Sequence, residues 1–286
     1  MLYVPQAQDF QWYYSNTLAT RPAAAYGATI TPNTTVNTFG AWVQLASAAN
    51  IPYDVYGVQL CFNNAATSNS NRLILANIGV DNAGGTNYLT IIPNLMASKA
   101  YPYTTAPNGI WYYFPLYIPA GSSIAVQATS SVTTTFNCSA YFYGLPRRPE
   151  AVRAGSYVDV YGLNTTTRQG TSVTMGTTAE GAWSASLGTT TRSTWWWQMG
   201  VSMDTTAINA AIVHCDLAAG ASTTAGDYKL LMENQNWISS STEQVGNLPL
   251  TQNCFNNVAA GQNIYGRAQT SGTANVMSMI AYGLGG

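Results

Sequence analysis

The sequence predicts an all-β protein made of two tandem jelly-roll-like antiparallel β-sandwich domains related by an internal repeat. Short runs alternate between apolar and polar residues, as in Tyr56–Phe62 and Ile124–Ala128, which is the period of a half-buried strand. Turn-forming residues such as Asn63-Asn64 and Pro107-Asn108-Gly109 separate these runs. No stretch combines sustained helical periodicity with capping residues at both ends. Many short strands separated by turns are typical of a jelly roll or a related sandwich.

The internal repeat is clearest in a strand–turn–strand segment, Tyr113–Ala128. Its Ala120-Gly121-x-x-Ile124 pattern returns as Ala260-Gly261-x-x-Ile264, at an offset of 140 residues. The same offset, within one residue and in the same order, relates Tyr88 to Tyr228, Asn94 to Asn234, Gly40-Ala41-Trp42 to Gly181-Ala182-Trp183, and Tyr143-Gly144-Leu145 to Tyr282-Gly283-Leu284. A constant offset in constant order predicts two copies of one structural unit.

The repeat divides the chain into an N-terminal arm (1–25), a first sandwich (26–145), a linker (146–155) and a second sandwich (156–286). The arm has no counterpart of similar character before the second copy. Its candidate interaction residues are aromatic: Phe10, Trp12, Tyr13 and Tyr14. They dock on a neighbouring molecule or pack on their own domain. Arg147 and Arg148 lie in the proline-containing linker, which is either a solvated spacer or a docking site for an acidic partner.

Each half contains eight candidate strands. In the first half they are Ala28–Thr35, Ala41–Leu45, Val55–Phe62, Arg72–Val80, Tyr88–Ile92, Trp111–Ile118, Ser123–Ala128 and Thr135–Tyr143. In the second half they are Tyr157–Tyr161, Thr171–Met175, Trp183–Leu187, Thr194–Met203, Ala210–Leu217, Tyr228–Met232, Asn263–Ala268 and Val276–Tyr282. The segment from Ile238 to Thr242 is predicted to be a loop.

The composition restricts the possible partners. Charged residues make up only 7% of the chain and the net charge is −1, so Thr, Ser, Asn and Gln must cover the surface. A nearly neutral polar surface favours association, which indicates a protein that belongs to an assembly. The sequence has no broad basic patch for nucleic acid, no apolar run long enough for a membrane helix, and no secretory signal at its start. The four cysteines have no metal-ligand spacing and are predicted to be free, buried thiols.

Few residues are candidates for chemistry. His214 is the only histidine and lacks a nucleophile motif, so we expect a buried or interface histidine. Among the eleven carboxylates, Asp216 and Glu233 are one pair that the fold could bring together, as a glycosidase requires. Trp195-Trp196-Trp197 lies in a predicted strand, where Trp195 and Trp197 share one face and Trp196 takes the other. These rings either fill the core or, for Trp196, contact a partner. The pattern predicts no enzyme, no cofactor and no metal.

Three segments resemble virion structural proteins of tailed bacteriophages. They are Gly40-Ala-Trp-Val-Gln-Leu45, Ile91-Ile-Pro-Asn-Leu95 and Phe114-Pro-Leu-Tyr-Ile-Pro-Ala-Gly121, and the resemblance covers most of residues 21–145. The second half matches less well, because Ile-Pro-Asn is replaced by Met232-Glu233-Asn234. The resemblance implies a virion protein made in the host cytoplasm, with a decoration or cement role on the outer head shell.

The partners implied by this resemblance are the major capsid protein or other virion proteins, together with copies of the chain itself. A trimer is favoured by analogy. A tail or fibre component that binds host-surface glycan through Trp196 or through loops of the second domain is the alternative. An outward-facing Trp196 would favour the glycan-binding role, and a buried Trp196 would favour the structural role.

Overall fold

A computed structural model describes residues 12–15, 27–63, 73–97, 110–133, 135–145, 153–184, 186–203, 211–224, 226–240, 243–244, 253–272 and 276–286. These residues form nineteen β-strands and one turn of 3-10 helix, Ala48–Asn50. The strands are β1 (Trp12–Ser15), β2 (Ala28–Ile30), β3 (Val43–Ala46), β4 (Asp54–Asn63), β5 (Ile74–Asp81), β6 (Leu89–Met96), β7 (Ile110–Phe114), β8 (Ser123–Ser130), β9 (Phe136–Leu145), β10 (Tyr157–Tyr161), β11 (Thr171–Gly176), β12 (Gly188–Thr189), β13 (Thr194–Met203), β14 (Ala211–Gly220), β15 (Tyr228–Ser240), β16 (Glu243–Gln244), β17 (Asn253–Val258), β18 (Asn263–Thr270) and β19 (Val276–Gly285).

The first half is a jelly roll. Strands β2, β9, β4 and β7 form one sheet in that order, and β3, β8, β5 and β6 form the other. Their neighbours are antiparallel throughout. Of the seven connections between consecutive strands β2 to β9, all but the β5–β6 hairpin cross from one sheet to the other. This alternation wraps two sheets around one core and confirms the predicted all-β, jelly-roll-like sandwich.

The second half repeats this order with two additions, the short strand β16 beside β15 and a link between the two sheets. In one sheet, β10 and β11 both pair with β19, β19 pairs with β13, and β13 pairs with β17. In the other sheet, β12 pairs with β18, β18 pairs with β14, and β14 pairs with β15. In addition, β11 pairs in parallel with β18 at Met175 and Ala268, which joins the two sheets into one of ten strands. The first half has only an isolated parallel bridge at the corresponding place, between Asn33 and Thr129.

Residues matched by the sequence offset occupy equivalent positions. Gly121 and Gly261 have φ values of 78° and 83°, and Asn94 and Asn234 have φ values of 54° and 51°. The rings of Trp42 and Tyr88 lie 5.4 Å apart, and those of Trp183 and Tyr228 lie 5.1 Å apart. The repeat read from the sequence is therefore a repeat of backbone geometry and of side-chain pairs.

Strand β1 of the arm has a counterpart in backbone pairing, β10, although the two strands differ in residue character. Strand β1 pairs with β9, where Trp12 lies opposite Gly144, just as β10 pairs with β19, where Asp159 lies opposite Gly283. Gly144 and Gly283 are themselves matched by the repeat. Sequence comparison could not show this, because β1 is aromatic whereas β10 reads Val-Asp-Val at its centre. The domain boundaries at 26, 146 and 156 stay predictions.

Several strand predictions in the second half were wrong, and the short strands β12 and β16 were not predicted. Strand β17 was missed, because its asparagines obscure the alternation of an edge strand that pairs only with β13. Strand β15 runs to Ser240, into the segment predicted as a loop from Ile238. Of the predicted strand Trp183–Leu187, the described residues Trp183, Ser184, Ser186 and Leu187 lie outside any strand, although Ser184 and Leu187 donate backbone hydrogen bonds to Gly266 and Ile264.

The two halves share apolar contacts. A buried cluster fills the first sandwich and continues into the sheet of β10, β19 and β13, where it includes Trp196, Ile280 and Tyr282. A separate cluster around Trp197 and Met279 fills the second sandwich. Within the described part of the chain, no helix has the length and hydropathy needed to cross a membrane.

Candidate functional site

The three consecutive tryptophans of β13 are all buried, with exposed fractions of 3%, 2% and 0% for Trp195, Trp196 and Trp197. Trp197 belongs to the core of the second sandwich, whereas Trp195 and Trp196 both join the cluster shared with the first. This corrects the prediction that Trp195 and Trp197 share a face. The cause is an irregularity between Thr194 and Trp196 in the pairing of β13 with β17, which breaks the alternation of side chains.

Trp196 lies at the junction between the halves, and its ring is in contact with other aromatic rings. The centroid of Phe255 is 4.5 Å away, and that of Tyr113, from the first half, is 5.8 Å away; both meet the indole edge to face. The outward-facing Trp196 that would favour the glycan-binding alternative is therefore not observed. Trp196 contributes to the joint and presents almost no surface to an outside partner.

A tyrosine pair completes the joint. The Tyr282 hydroxyl accepts a hydrogen bond from the Met96 amide at 2.8 Å and donates to the Asn94 carbonyl at 3.0 Å, which links β19 to β6. The Tyr112 hydroxyl donates to the Met96 carbonyl at 2.6 Å. Burial, together with the neighbouring Tyr282, raises the pKa of Tyr112 well above its usual value. Burial also raises the pKa of Tyr282, so both hydroxyls stay protonated at neutral pH. This arrangement is suited to holding two elements together.

The other predicted interaction residues divide into two groups. Trp12, Tyr13 and Tyr14 lie on β1, whose backbone pairs with β9 of the same chain. Phe10, Arg147 and Arg148 lie outside the described residues. For both groups, a role in contacting a partner stays a prediction.

None of the four cysteines forms a disulfide, as predicted. Cys61, Cys138 and Cys215 are buried, and Cys254 is half-buried. Burial raises the pKa of Cys61 to about 12. The hydrogen bond between its thiol and Asn63 lowers this pKa, but by less than burial raises it. A thiol that stays protonated at neutral pH is a poor nucleophile and a poor metal ligand. No group of His, Cys, Asp or Glu in the described ranges is arranged to hold a metal ion.

A charged cluster lies on the sheet of β14 and β18. The guanidinium of Arg267 forms ion pairs with Glu180 and, at 2.8 Å, with Asp216, and it lies 4.3 Å from the centroid of the Trp183 ring. Asp216 is 2% exposed and also accepts a hydrogen bond from the Asn234 amide at 2.7 Å. The pKa of Glu180 is raised, chiefly by burial and then by its hydrogen bond to Asp216 and the repulsion between the two carboxylates. Attraction to Arg267 lowers this pKa by less than the other effects raise it, and repulsion from Glu233 raises it slightly.

The first half has a neutral version of this cluster. Asn77 and Gln127 face each other across β5 and β8, as Asp216 and Arg267 do across β14 and β18. The Asn77 side chain accepts from the Asn94 amide at 2.8 Å, which is the contact that Asp216 makes with Asn234. The fold thus forms with an amide pair at this position, and the charges are a property of the second half alone.

A cavity of about 570 Å³ opens where β13 begins and β17 ends. Arg153, Tyr157, Thr194 and Trp195 contribute to its wall. Sequence reasoning missed this site, because Arg153 precedes the second sandwich and only the pairing of β10 with β19 brings that segment close to β13. The signals in the sequence were Arg153, at the end of the charged linker, and the run of tryptophans that contains Trp195.

Comparison with known proteins identifies no family. No protein-family model matches the chain, and no curated protein matches it. Among solved structures, PNGase F, a glycosylasparaginase from Flavobacterium meningosepticum, is 13% identical with a TM-score of 0.37, over 90% of this chain and 95% of that one. A chain of Broad Bean Stain Virus is 10% identical with a TM-score of 0.31, over 90% and 87%. A chain of the infectious bursal disease virus Gt strain is 11% identical with a TM-score of 0.27, over 96% and 71%.

These similarities correct one prediction. The sequence was predicted to encode no enzyme, but a glycosylasparaginase stands among the similar structures, so that prediction is withdrawn. At these identities and TM-scores the likeness extends to the fold alone. No substrate, reaction or partner is carried over to this chain.

Proposed function

We propose that this chain is a structural protein of a tailed-bacteriophage particle that decorates the outer head shell and stabilises it. The burial of Trp196 in the joint between the two jelly rolls carries the proposal. Its ring connects the two sandwiches, and it is one of the two features, with loops of the second domain, through which the glycan-binding alternative was to act. The most distinctive aromatic feature of the sequence thus contributes to architecture.

The surface chemistry supports the same role. Charged residues make up 7% of the chain and its net charge is −1, so little electrostatic repulsion opposes packing against a shell or against further copies. The partners proposed are the major capsid protein and other copies of this chain, with a trimer as the favoured assembly by analogy with lattice symmetry. A standard interface of about 1,600 Å², repeated over a shell, would add mechanical stability at many joints.

Co-sedimentation with shells that lack this protein tests the proposal. The full chain is mixed with purified undecorated shells at increasing ratios, and the amount in the pellet is quantified. We expect saturation at a simple ratio to the major shell protein, together with a higher temperature of shell disruption. Binding that never saturates, or no binding at all, would contradict the proposed decoration role. Shells that already carry the protein are the matched control, because their sites are occupied.

A deletion of the arm separates the two roles left open for it. If residues 1–25 bind a neighbour, the deleted chain should keep its unfolding temperature and lose affinity for shells. If β1 serves only to complete its own sheet beside β9, the deletion should lower the unfolding temperature and leave the saturation ratio unchanged.

A further inference from the structure

We propose that Arg168 is a positioning residue that fixes the angle between the two jelly rolls. Arg168 lies in the segment between β10 and β11 of the second half, and its guanidinium reaches the first half. There its Nε donates to the Thr129 hydroxyl at 2.8 Å, and its Nη2 donates to the Thr34 carbonyl at 2.6 Å. This contact is independent of the proposed role on a shell.

The backbone of Arg168 has a conformation that is unusual for an arginine. Its φ is 58°, in the left-handed region, and the other non-glycine residues with positive φ in the described part of the chain are all asparagines. Glycine adopts this conformation freely, and asparagine adopts it more readily than other residues do. The turn at residues 165–168 ends with Arg168 and is closed by two backbone hydrogen bonds between Asn164 and Gln169, of 2.8 and 3.2 Å. An arginine at a position that favours glycine indicates a requirement for its side chain.

The side chain of Arg168 is buried against neutral groups. Arg168 is 6% exposed, and within the described ranges it forms no ion pair. Both of its acceptors are uncharged oxygens of the first half. A buried charge with such partners adds little net stability, because the loss of hydration offsets the hydrogen bonds that it gains. The planar guanidinium nevertheless holds two acceptors in fixed directions, so its contribution is to geometry.

The acceptors of Arg168 are themselves fixed by hydrogen bonds. The Thr129 hydroxyl and the Ser130 amide both donate to the Asn33 carbonyl, at 3.1 and 2.9 Å. These bonds belong to the isolated parallel bridge between Asn33 and Thr129, which stands where β11 and β18 pair in the second half. Arg168 therefore holds the corner at which the two sheets of the first sandwich meet.

A second directional contact between the halves lies on the same row of the β3-β8-β5-β6 sheet. Leu75 of β5 pairs with Met96 of β6 on one side and with Thr129 of β8 on the other. The Met96 amide donates to the Tyr282 hydroxyl, so the second half holds this row at two points. Because neighbouring strands lie roughly 4.8 Å apart, these two points are about 10 Å from each other. Apolar contacts are non-directional, whereas two directional contacts at this separation oppose rotation about either one.

Residual dipolar couplings of the ¹⁵N-labelled full chain test the proposal. The couplings of each half define an alignment tensor, and two halves held at a fixed angle share one tensor, which we expect for the wild type. Arg168→Met keeps the length of the side chain and removes both hydrogen bonds. We expect it to give the two halves different tensors, with little change in unfolding temperature, because an apolar chain replaces a buried charge. A common tensor in Arg168→Met would overturn the proposal, even if the unfolding temperature fell.

Two further variants identify the contact. Arg192→Met is the matched control, because the ion pair of Arg192 with Asp159 lies entirely within the second half, and it should keep the common tensor. Thr129→Val removes the acceptor of the Arg168 Nε and should separate the tensors by a smaller amount than Arg168→Met does. It also replaces Arg168→Met if that variant fails to fold. If Arg192→Met separates the tensors, or if Thr129→Val leaves them common, the contact of Arg168 with the first half does not set the angle.

Discussion

At the residue scale, the repeat provides a natural control for the charged cluster. Asp216→Asn alone should reduce the free energy of unfolding by about 1.5–3 kcal/mol, because Arg267 loses a buried charged acceptor. Asp216→Asn with Arg267→Gln recreates the amide pair of Asn77 and Gln127, so the double variant should recover part of the loss. Urea unfolding of the two single variants and the double variant gives the coupling energy, for which we expect about 1 kcal/mol or more. Strictly additive losses would show that the two groups act separately.

The same cluster makes stability depend on pH through Glu180. Its pKa in the folded protein is raised, chiefly by burial and by Asp216, so the folded state holds the Glu180 proton more tightly than the unfolded chain does. The stability that this residue contributes is therefore fully present below its unfolded pKa of about 4.5 and is lost as the pH rises through the folded value. Glu180→Gln removes this dependence.

We expect the unfolding temperature of Glu180→Gln, relative to the wild type, to be higher at pH 7 than at pH 4. Thermal unfolding of both proteins in the same buffers across this range measures the difference. A difference that stays constant with pH would contradict the raised pKa, and a difference that falls toward pH 7 would mean that attraction to Arg267 outweighs burial and Asp216.

At the scale of elements, the joint between β19 and β6 depends on one hydroxyl. Tyr282→Phe leaves the Met96 amide without its acceptor and the Asn94 carbonyl without its donor, and the site is fully buried, so we expect a loss of about 1–3 kcal/mol. Tyr143 occupies the matching position in the first half, where it is half-buried and its hydroxyl donates a hydrogen bond to the Gln59 side chain at 2.7 Å. Tyr143→Phe is therefore the control, with an expected loss below about 1 kcal/mol. If urea unfolding shows equal losses of unfolding free energy for Tyr282→Phe and Tyr143→Phe, the hydrogen bonds of Tyr282 to β6 add no stability beyond that of a half-buried tyrosine.

The same elements show what a sequence can and cannot predict about this fold. The turn at Gly121 and Gly261 could be predicted, because a positive φ requires a particular residue type and therefore leaves the same letter in both halves. The equivalence of β1 and β10 could not be predicted from the sequence, because backbone pairing with β9 and β19 places little demand on side-chain identity. The cavity could not either, because its wall is assembled from segments about forty and one hundred residues apart, at Arg153, Thr194 and Val258.

For the whole molecule, the shared core implies that the two jelly rolls unfold together. The cluster that fills the first sandwich includes Trp196, Ile280 and Tyr282 from the second, so separation of the halves would expose these side chains to water. In calorimetry we expect a single transition, with a calorimetric enthalpy equal to the van't Hoff enthalpy. Two transitions in the wild-type protein would mean that the contact is too weak to couple the halves.

Trp196→Ala should disrupt this coupling. Loss of a fully buried indole costs about 3–5 kcal/mol and leaves a cavity at the junction, so we expect the single transition to divide into two. Trp42→Ala is the matched control, since Trp42 is only half-buried and packs against Tyr88 within the first half. It should lower the unfolding temperature and leave one transition. If Trp42→Ala divides the transition as Trp196→Ala does, general destabilisation separates the halves, and the tryptophan at the joint has no special role in holding the two jelly rolls together.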